Sequence, residues 1–507
     1  MPAAVEDKPK PSAHDDHGVA QDINWEDYRD HLTTADKDGH RRWLYPKKPS
    51  GFWYEHRTHL SWLLIAVMFA GPWIRINGNP LLLINIVERR FSILGQIFWP
   101  QDTLIFAVAM LVFCVGIMIF TTAFGRLWCG WTCPQTVMME MVFRKLEYLI
   151  EGDAAEQRAL DAAPWTAKKF AKKALKHTVF FGASFIIGNT LLAYIIGSEQ
   201  LLHIQFDDPR NHLVGLTFMT LFSLLFYAIF ARFREQACTF ICPYGRFQSA
   251  LLDENTLLVA YDNERGETRA QLRRDETFVQ RKTEGKGDCV NCRACVAVCP
   301  TGIDIRNGVQ MECVNCTACI DACDTIMDKV GQPRGLIRFA SLNNIAHRTK
   351  QRFTSRMALY SVVLTGLISF FLYLVFTRCD VETTLLRAPG TLFQTTSEGR
   401  VENLYILKVV NKTMHDISVE LRLVNHPGKV RVMGGTNFTV PAAQLAQTSV
   451  LIELEPKQLE GVNTKLKLGV YTAQRKLLET VDTAFVGPRG AEHHEPNENH
   501  EREHNRR

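Results

Sequence analysis

Eight of the fourteen cysteines lie in two runs, CVNCRACVAVCP from Cys289 and CVNCTACIDAC from Cys313, each spaced C-x2-C-x2-C-x3-C. A cubane iron–sulfur cluster takes thiolates at four corners; three closely spaced cysteines wrap three irons, and the fourth thiolate approaches from elsewhere. In two-cluster ferredoxins the last cysteine of each run ligates the other cluster. The spacing therefore predicts two 4Fe–4S clusters. One is expected on Cys289, Cys292, Cys295 and Cys323, the other on Cys313, Cys316, Cys319 and Cys299. A pair of zinc knuckles is the competing use of such thiols, and two complete runs favour the clusters. Pro300 closes the first run as expected; Asp324 follows the second, a departure that leaves ligation intact.

Four more cysteines form a near-repeat: Cys129 and Cys133 in WCGWTCPQT, Cys238 and Cys242 in ACTFICPYG. Both are C-x3-C-P just after an apolar run, which points to duplication of a two-helix unit and a pseudo-symmetric core. On a helix, positions i and i+4 share a face. Each pair can then chelate one soft metal, or the four thiols can share one site. Thiolates favour Cu(I), Zn and iron–sulfur species; simple packing of buried cysteines is the alternative. Cys114 reads as a small core residue, and Cys379 as a free thiol or acylation site. Residues 1–58 lack the charged, apolar and small-residue series of a cleaved signal peptide. Clustered cysteines in such a chain indicate metal sites in a reducing compartment rather than disulfides.

Five apolar stretches approach the roughly 20 residues that a bilayer of about 30 Å requires. They are His59–Ile76, Thr103–Phe124, Thr178–Gly197, Leu213–Phe230 and Met357–Phe376, the first short and interrupted by Gly71-Pro72. Leu81–Val87 is too short to span and is assigned to the interface. Basic residues cluster before the first stretch (Arg41, Arg42, Lys47, Lys48, Arg57), through 125–177, and before the fifth (Arg348, Lys350, Arg352, Arg356). Loop 198–212 holds Glu199, Asp207 and Asp208 against Arg210. Positive residues mark the cytoplasmic side, so five crossings leave the N-terminus cytoplasmic and the C-terminal region periplasmic in a bacterial inner membrane. The same clustering argues for a membrane and against nucleic acid as the reason for the net charge of +5.

From about 381 to 488, alternating segments (Leu404–Val410, Ile417–Val424, Ser449–Leu454, Lys465–Tyr471, Thr480–Phe485) are separated by turn-rich pieces. Short strands at this spacing predict an all-β immunoglobulin-like sandwich, here without cysteines. The fold class is thus a multi-domain membrane protein. It comprises a cytoplasmic tail (1–58), transmembrane helices one to four with both C-x3-C-P motifs (59–255), and a bicluster ferredoxin-like α+β segment (256–356). A fifth helix (357–376), the sandwich (381–488) and a disordered tail (489–507) follow. His59, His177, His203 and His212 sit near helix ends, where histidines are ordinary. The tail histidines His493, His494, His500 and His504 hold metal weakly or are merely solvated. No Walker loop or dinucleotide fingerprint is present, so electrons come from a partner or a membrane quinol.

Together these features resemble the cytochrome c oxidase accessory protein family (CcoG, FixG, RdxA), from about residue 40 to 488. WCGWTCP and CTFICPYGRFQ also resemble the quinol-oxidising NapH-type ferredoxins, which lack the sandwich. The resemblance implies a membrane polyferredoxin that reduces Cu(II) to Cu(I) for assembly of cbb3-type cytochrome c oxidase. Cys129, Cys133, Cys238 and Cys242 would then be the catalytic copper site, and the two clusters the electron source. Its partners would be the oxidase or its assembly factors, with an electron donor that the sequence does not name. A quinol-oxidising relay without copper, or a non-catalytic assembly scaffold, are the competing functions.

Overall fold

The computed structural model describes Thr34 and residues 40–488, except 77, 86–89, 94, 100–101, 349–353, 391, 414, 434–437, 443 and 473. Of the two expected tails, residues 1–33, 35–39 and 489–507, with His493, His494, His500 and His504, lie outside the described residues, while 52–58 begin a helix. Among the described residues four helices are long and apolar enough to cross a membrane: Thr103–Phe124, Ala167–Ile196, Leu213–Phe233 and Ser355–Phe376. The chain is a membrane protein. Thr103–Phe124 and Ser355–Phe376 are apolar all round and almost wholly unburied by protein, the signature of helices whose solvent is lipid.

Five spans were expected, and the first is not among these four. In place of His59–Ile76, helix α1 runs Phe52–Ala70. It stops before Pro72, which offers no N–H to continue the ladder. Its polar first half is docked on protein. The Trp53 and Tyr54 amides donate to the Asp321 carboxylate (3.1 and 2.8 Å). Arg57, 2% exposed, donates from Nε to the Gly130 carbonyl at 2.7 Å. Cys114, expected in a core, is exposed on the second helix (α2, Thr103–Phe124), whose buried residues lie elsewhere. Within Leu81–Val87, the strand Leu82–Asn85 pairs antiparallel with Arg90–Ile93.

The chain divides into two compact units, one formed by Met1–Ile76, Pro80–Leu94 and Gln101–Phe371, the other by Asn77–Asn79, Gly95–Pro100 and Leu372–Arg507. In the first, Ala167–Ile196 (α3) pairs with Leu213–Ala228 (α4), which runs on as a π-helical turn, Ile229–Phe233. Phe143, which follows the first C-x3-C-P motif, stacks on Phe230 (4.4 Å, 11°) and meets Phe180 edge-on at 5.1 Å. Beneath this packing lies a buried ion network: Glu147 takes both guanidinium nitrogens of Arg234 (2.7 and 3.0 Å) and the Lys176 ammonium at 2.6 Å. The ferredoxin segment is a two-stranded antiparallel ribbon, Leu258–Tyr261 with Ile337–Ala340, packed with helix Ala318–Lys329 (α5).

The second unit is the sandwich. One sheet runs Lys429–Val432, Leu445–Leu454, Val401–Asn411, Val381–Arg387, with Gln394–Thr395 beside Val401; the other runs Phe438–Val440, Ile417–Leu423, Asn463–Thr472, Leu477–Val486. Burial alternates along Val401–Asn411, as a half-buried strand requires. Tyr405, Leu407, Ile452, Leu466 and Phe485 close the core between the sheets. Val381–Arg387, Lys429–Val432 and Phe438–Val440 are strands that the alternation test missed.

Candidate iron–sulfur and thiol centres

Each ferredoxin run bends the same way. The residues between its first three cysteines include two non-glycine residues at positive φ: Asn291 (50°) and Arg293 (56°) in the first, Asn315 (53°) and Thr317 (67°) in the second. Such residues are uncommon, and four at matched positions indicate a shape imposed by function. Alternating left-handed residues turn successive amides into one concavity, the kind of nest that holds phosphates and iron–sulfur clusters. Short helices, Ala294–Ala297 and α5, begin immediately after each nest.

Two cavities lie against these nests. Cys289, Cys292, Cys295 and Cys323 line one, with Tyr261, Arg306, Met327 and Leu336. Cys299, Cys313, Cys316 and Cys319 line the other, with Val259, Ile303 and Ile305; Cys295 also borders it. Each thus gathers the first three cysteines of one run and the last of the other. Burial pushes the Cys295 and Cys313 thiols up to about 12 and Cys316 to about 11, and raises Cys299, Cys319 and Cys323 as well. Thiols this reluctant to ionise become ligands when a cationic centre offsets their desolvation. The residues therefore fit two 4Fe–4S clusters. Arg306 is a feature that spacing did not reveal. It is buried, pairs with Asp304 (2.8 and 2.6 Å), and holds Asn291 Oδ1 at 2.6 Å, fixing the first nest beside a permanent positive charge.

The two C-x3-C-P motifs also repeat in geometry. Cys133 and Cys242 are extended (ψ 124° and 111°) and cap helices whose first residues are Pro134 and Pro243. This corrects the idea of each pair sharing one helical face. A residue before proline is driven out of the α region, so the helix breaks at the second cysteine. All four thiols are half-buried. Burial and then the neighbouring Cys133, Cys129 and Cys242 push Cys238 up to about 12. Burial raises Cys129 too, against Arg126 and Gln248. Among the described residues no three of these four sulfurs lie within 4.8 Å of one another.

Gln248 bridges the repeats. Fully buried, it accepts from Arg126 Nε at 2.7 Å and donates to Cys129 Sγ at 3.3 Å, across 119 positions of sequence. Tyr244 adds a second bridge to Thr121 at 2.9 Å. The first motif rests on the second cysteine run. Cys129 packs with Val314, Cys316 and Ala318, Trp131 Nε1 donates to the Asn315 carbonyl at 3.3 Å, and a methyl on Gly130 would collide with the Val314 carbonyl. Beside Cys238 a further cavity is lined by Arg126, Met139, Glu140, Glu235, Met311 and Glu312.

Apolar spanning helices joined to a two-nest, eight-cysteine ferredoxin segment define a membrane-anchored polyferredoxin, an iron–sulfur electron-transfer protein. Family models match in the same places: a "4Fe-4S dicluster domain" over residues 233–342, a "4Fe-4S binding domain" over 106–151, and an "IG-like fold at C-terminal of FixG" over 371–488. Protein RdxA of Cereibacter sphaeroides is 35% identical over 473 residues, 88% of this chain and 97% of the relative. Nitrogen fixation protein FixG of Rhizobium meliloti is 32% identical over 434 residues, 78% of this chain and 82% of the relative. A solved FixG-related protein from Vibrio parahaemolyticus is 21% identical, covering 21% of this chain and 95% of its own, with a TM-score of 0.19, too low to bear on the fold. The chain belongs to the FixG/RdxA family of membrane polyferredoxins.

Proposed function

We propose that the protein reduces Cu(II) to Cu(I) at Cys129, Cys133, Cys238 and Cys242, in support of copper insertion during assembly of cbb3-type cytochrome c oxidase. The two clusters, held by Cys289, Cys292, Cys295 and Cys323 and by Cys313, Cys316, Cys319 and Cys299, supply single electrons when bound. The observation that carries this reading is the contact of the Cys129–Trp131 turn with the Val314–Asn315 loop of the second nest. It leaves no solvent layer between the thiol centre and the electron source. Each Cu(II) takes one electron and becomes the ion that thiolates prefer. Met139 and Met311, soft donors beside Cys238, suit the same cargo. The N-terminus and ferredoxin segment are cytoplasmic and the sandwich periplasmic, a reading supported by the basic loops; the oxidase or its assembly factors are the partners.

A second reading has its own support. The family model over 106–151, described as binding 4Fe–4S, spans Cys129 and Cys133. The test replaces Cys129, Cys133, Cys238 and Cys242 by serine. Reduced anaerobic protein then receives Cu(II), with cluster reoxidation and Cu(I) formation followed together. The copper reading requires that the variant keep its iron and stop reducing Cu(II). Iron loss supports the third-cluster reading. Unchanged reduction defeats the copper site and favours an electron relay to another complex, drawing on membrane quinol.

A further inference from the structure

We propose that His203, Asp207 and His212 form a binding site for a divalent first-row transition-metal ion, at the end of the α3–α4 hairpin remote from the cysteine centres. Their donor atoms, His203 Nδ1, an Asp207 carboxylate oxygen and His212 Nε2, all lie within 4.8 Å of one another. Asp207 Oδ2 is 2.9 Å from His212 Nε2 and 3.9 Å from His203 Nδ1, and the two rings stand edge to face at 5.4 Å. Metal–nitrogen bonds of about 2.0–2.1 Å and metal–oxygen bonds of about 2.0–2.2 Å separate tetrahedral donors by roughly 3.3 Å. Small side-chain rotations bring the three to that spacing.

The backbone that carries them is well held. His203 sits on the helix Ser198–Phe206, and Asp207 caps it, its amide donating to the His203 carbonyl at 3.0 Å. Asp208 caps the short turn Pro209–Asn211 by accepting from the Arg210 amide. His212 then opens α4, its carbonyl taking the Leu216 amide at 2.9 Å. An ordinary surface His–Asp hydrogen bond explains one histidine. It does not explain a second ring nitrogen converging on the same carboxylate oxygen. Two imidazoles and one carboxylate favour Zn2+ or Cu2+ over Mg2+ or Ca2+, with Cu2+ bound most tightly. All three side chains reach solvent, which leaves further positions for water.

The site is independent of the copper reading. Leu213–Phe233 spans about 31 Å, and the second C-x3-C-P motif follows its far end, so an ion here meets neither the C-x3-C-P thiols nor the ferredoxin cysteines. Zn2+ is the probe, because it neither oxidises thiols nor accepts electrons. Full-length protein in detergent is carbethoxylated with and without Zn2+, and each histidine is read by peptide mass spectrometry. His203 and His212 become protected together as Zn2+ reaches about one equivalent, while His177, bonded to Tyr227, does not change. Asp207→Ala weakens that protection by about tenfold or more, with cluster absorbance unaltered. Equal modification of His203 and His212 with and without stoichiometric Zn2+ overturns the proposal, and so does protection that survives Asp207→Ala.

Discussion

Replacing Gly130 by alanine puts a methyl group between the first thiol motif and the second cluster nest. Built on the existing backbone, the new Cβ collides with the Val314 carbonyl oxygen and stands 3.0 and 3.1 Å from the Asn315 carbonyl carbon and oxygen. All three are backbone atoms, so no rotamer relieves the clash and the two loops must part. Overpacking of this kind costs about 1–3 kcal/mol, and a gap of about 0.5–1 Å forfeits a quarter to a half of the dispersion energy across it. If the parting also breaks the Arg57 bond to the Gly130 carbonyl, a buried guanidinium loses a partner, adding about 1.5–3 kcal/mol. The assay follows thermal loss of cluster absorbance in detergent together with the rate of Cu(II) reduction by the reduced protein. Gly116→Ala is the control, at a helical position where a Cβ meets nothing; it is neutral or stabilises by up to about 1 kcal/mol. Gly130→Ala should melt earlier and reduce Cu(II) more slowly with its iron retained. If it matched Gly116→Ala in both measurements, the contact between the two centres would carry neither stability nor electrons.

Cys292→Ser should lower iron from about eight to about four atoms per chain; retention of all the iron would refute the ligand assignment. For Glu147, burial alone would raise the carboxyl, but Arg234 and then Lys176 outweigh it and hold it down to about 2, from 4.5. A depressed acid contributes stability that is present above its unfolded value and lost as the pH falls through the folded one. Roughly 3 kcal/mol should therefore disappear between about pH 4.5 and pH 2. Glu147→Gln, which leaves Arg234 and Lys176 buried beside a neutral group, should cost about 3–5 kcal/mol at neutral pH and flatten that acid dependence, as read from melting curves. A reporter fused at Val401 should be active only in the periplasm and one at Glu284 only in the cytoplasm; the reverse would refute the proposed orientation.

The features legible from sequence were those with a short repeat. Cysteine spacing declares the two ferredoxin runs because three ligands of a cubane must come from one loop. A bilayer demands unbroken apolar length, which is why the stretches at Thr103, Leu213 and Met357 emerged near their observed bounds, while Thr178–Gly197 caught only the apolar part of Ala167–Ile196. Strand alternation revealed five sandwich strands but missed Val381–Arg387, which lies just beyond the last helix and within no turn-bounded run. The first stretch has shifted bounds, its helix being Phe52–Ala70, for a physical reason. Arg57 and the amides of Trp53 and Tyr54 find partners at Gly130 and Asp321, so residues that look like a polar flank are packed against protein.

What the chain determined locally is therefore its chemistry: eight thiols in two nests, four more in a duplicated helix end, and apolar helices that only lipid can solvate. Tertiary structure decided which groups meet. Gln248 reaches Cys129 across 119 positions, Glu147 joins Arg234 across 87, and His203 and His212 converge on one carboxylate. Ligand spacing and hydrophobic period are short-range constraints, set by bond geometry within a few residues. Contacts between distant segments follow from the packing of the whole chain, where side chains such as Phe143 on Phe230 choose among many sterically allowed arrangements.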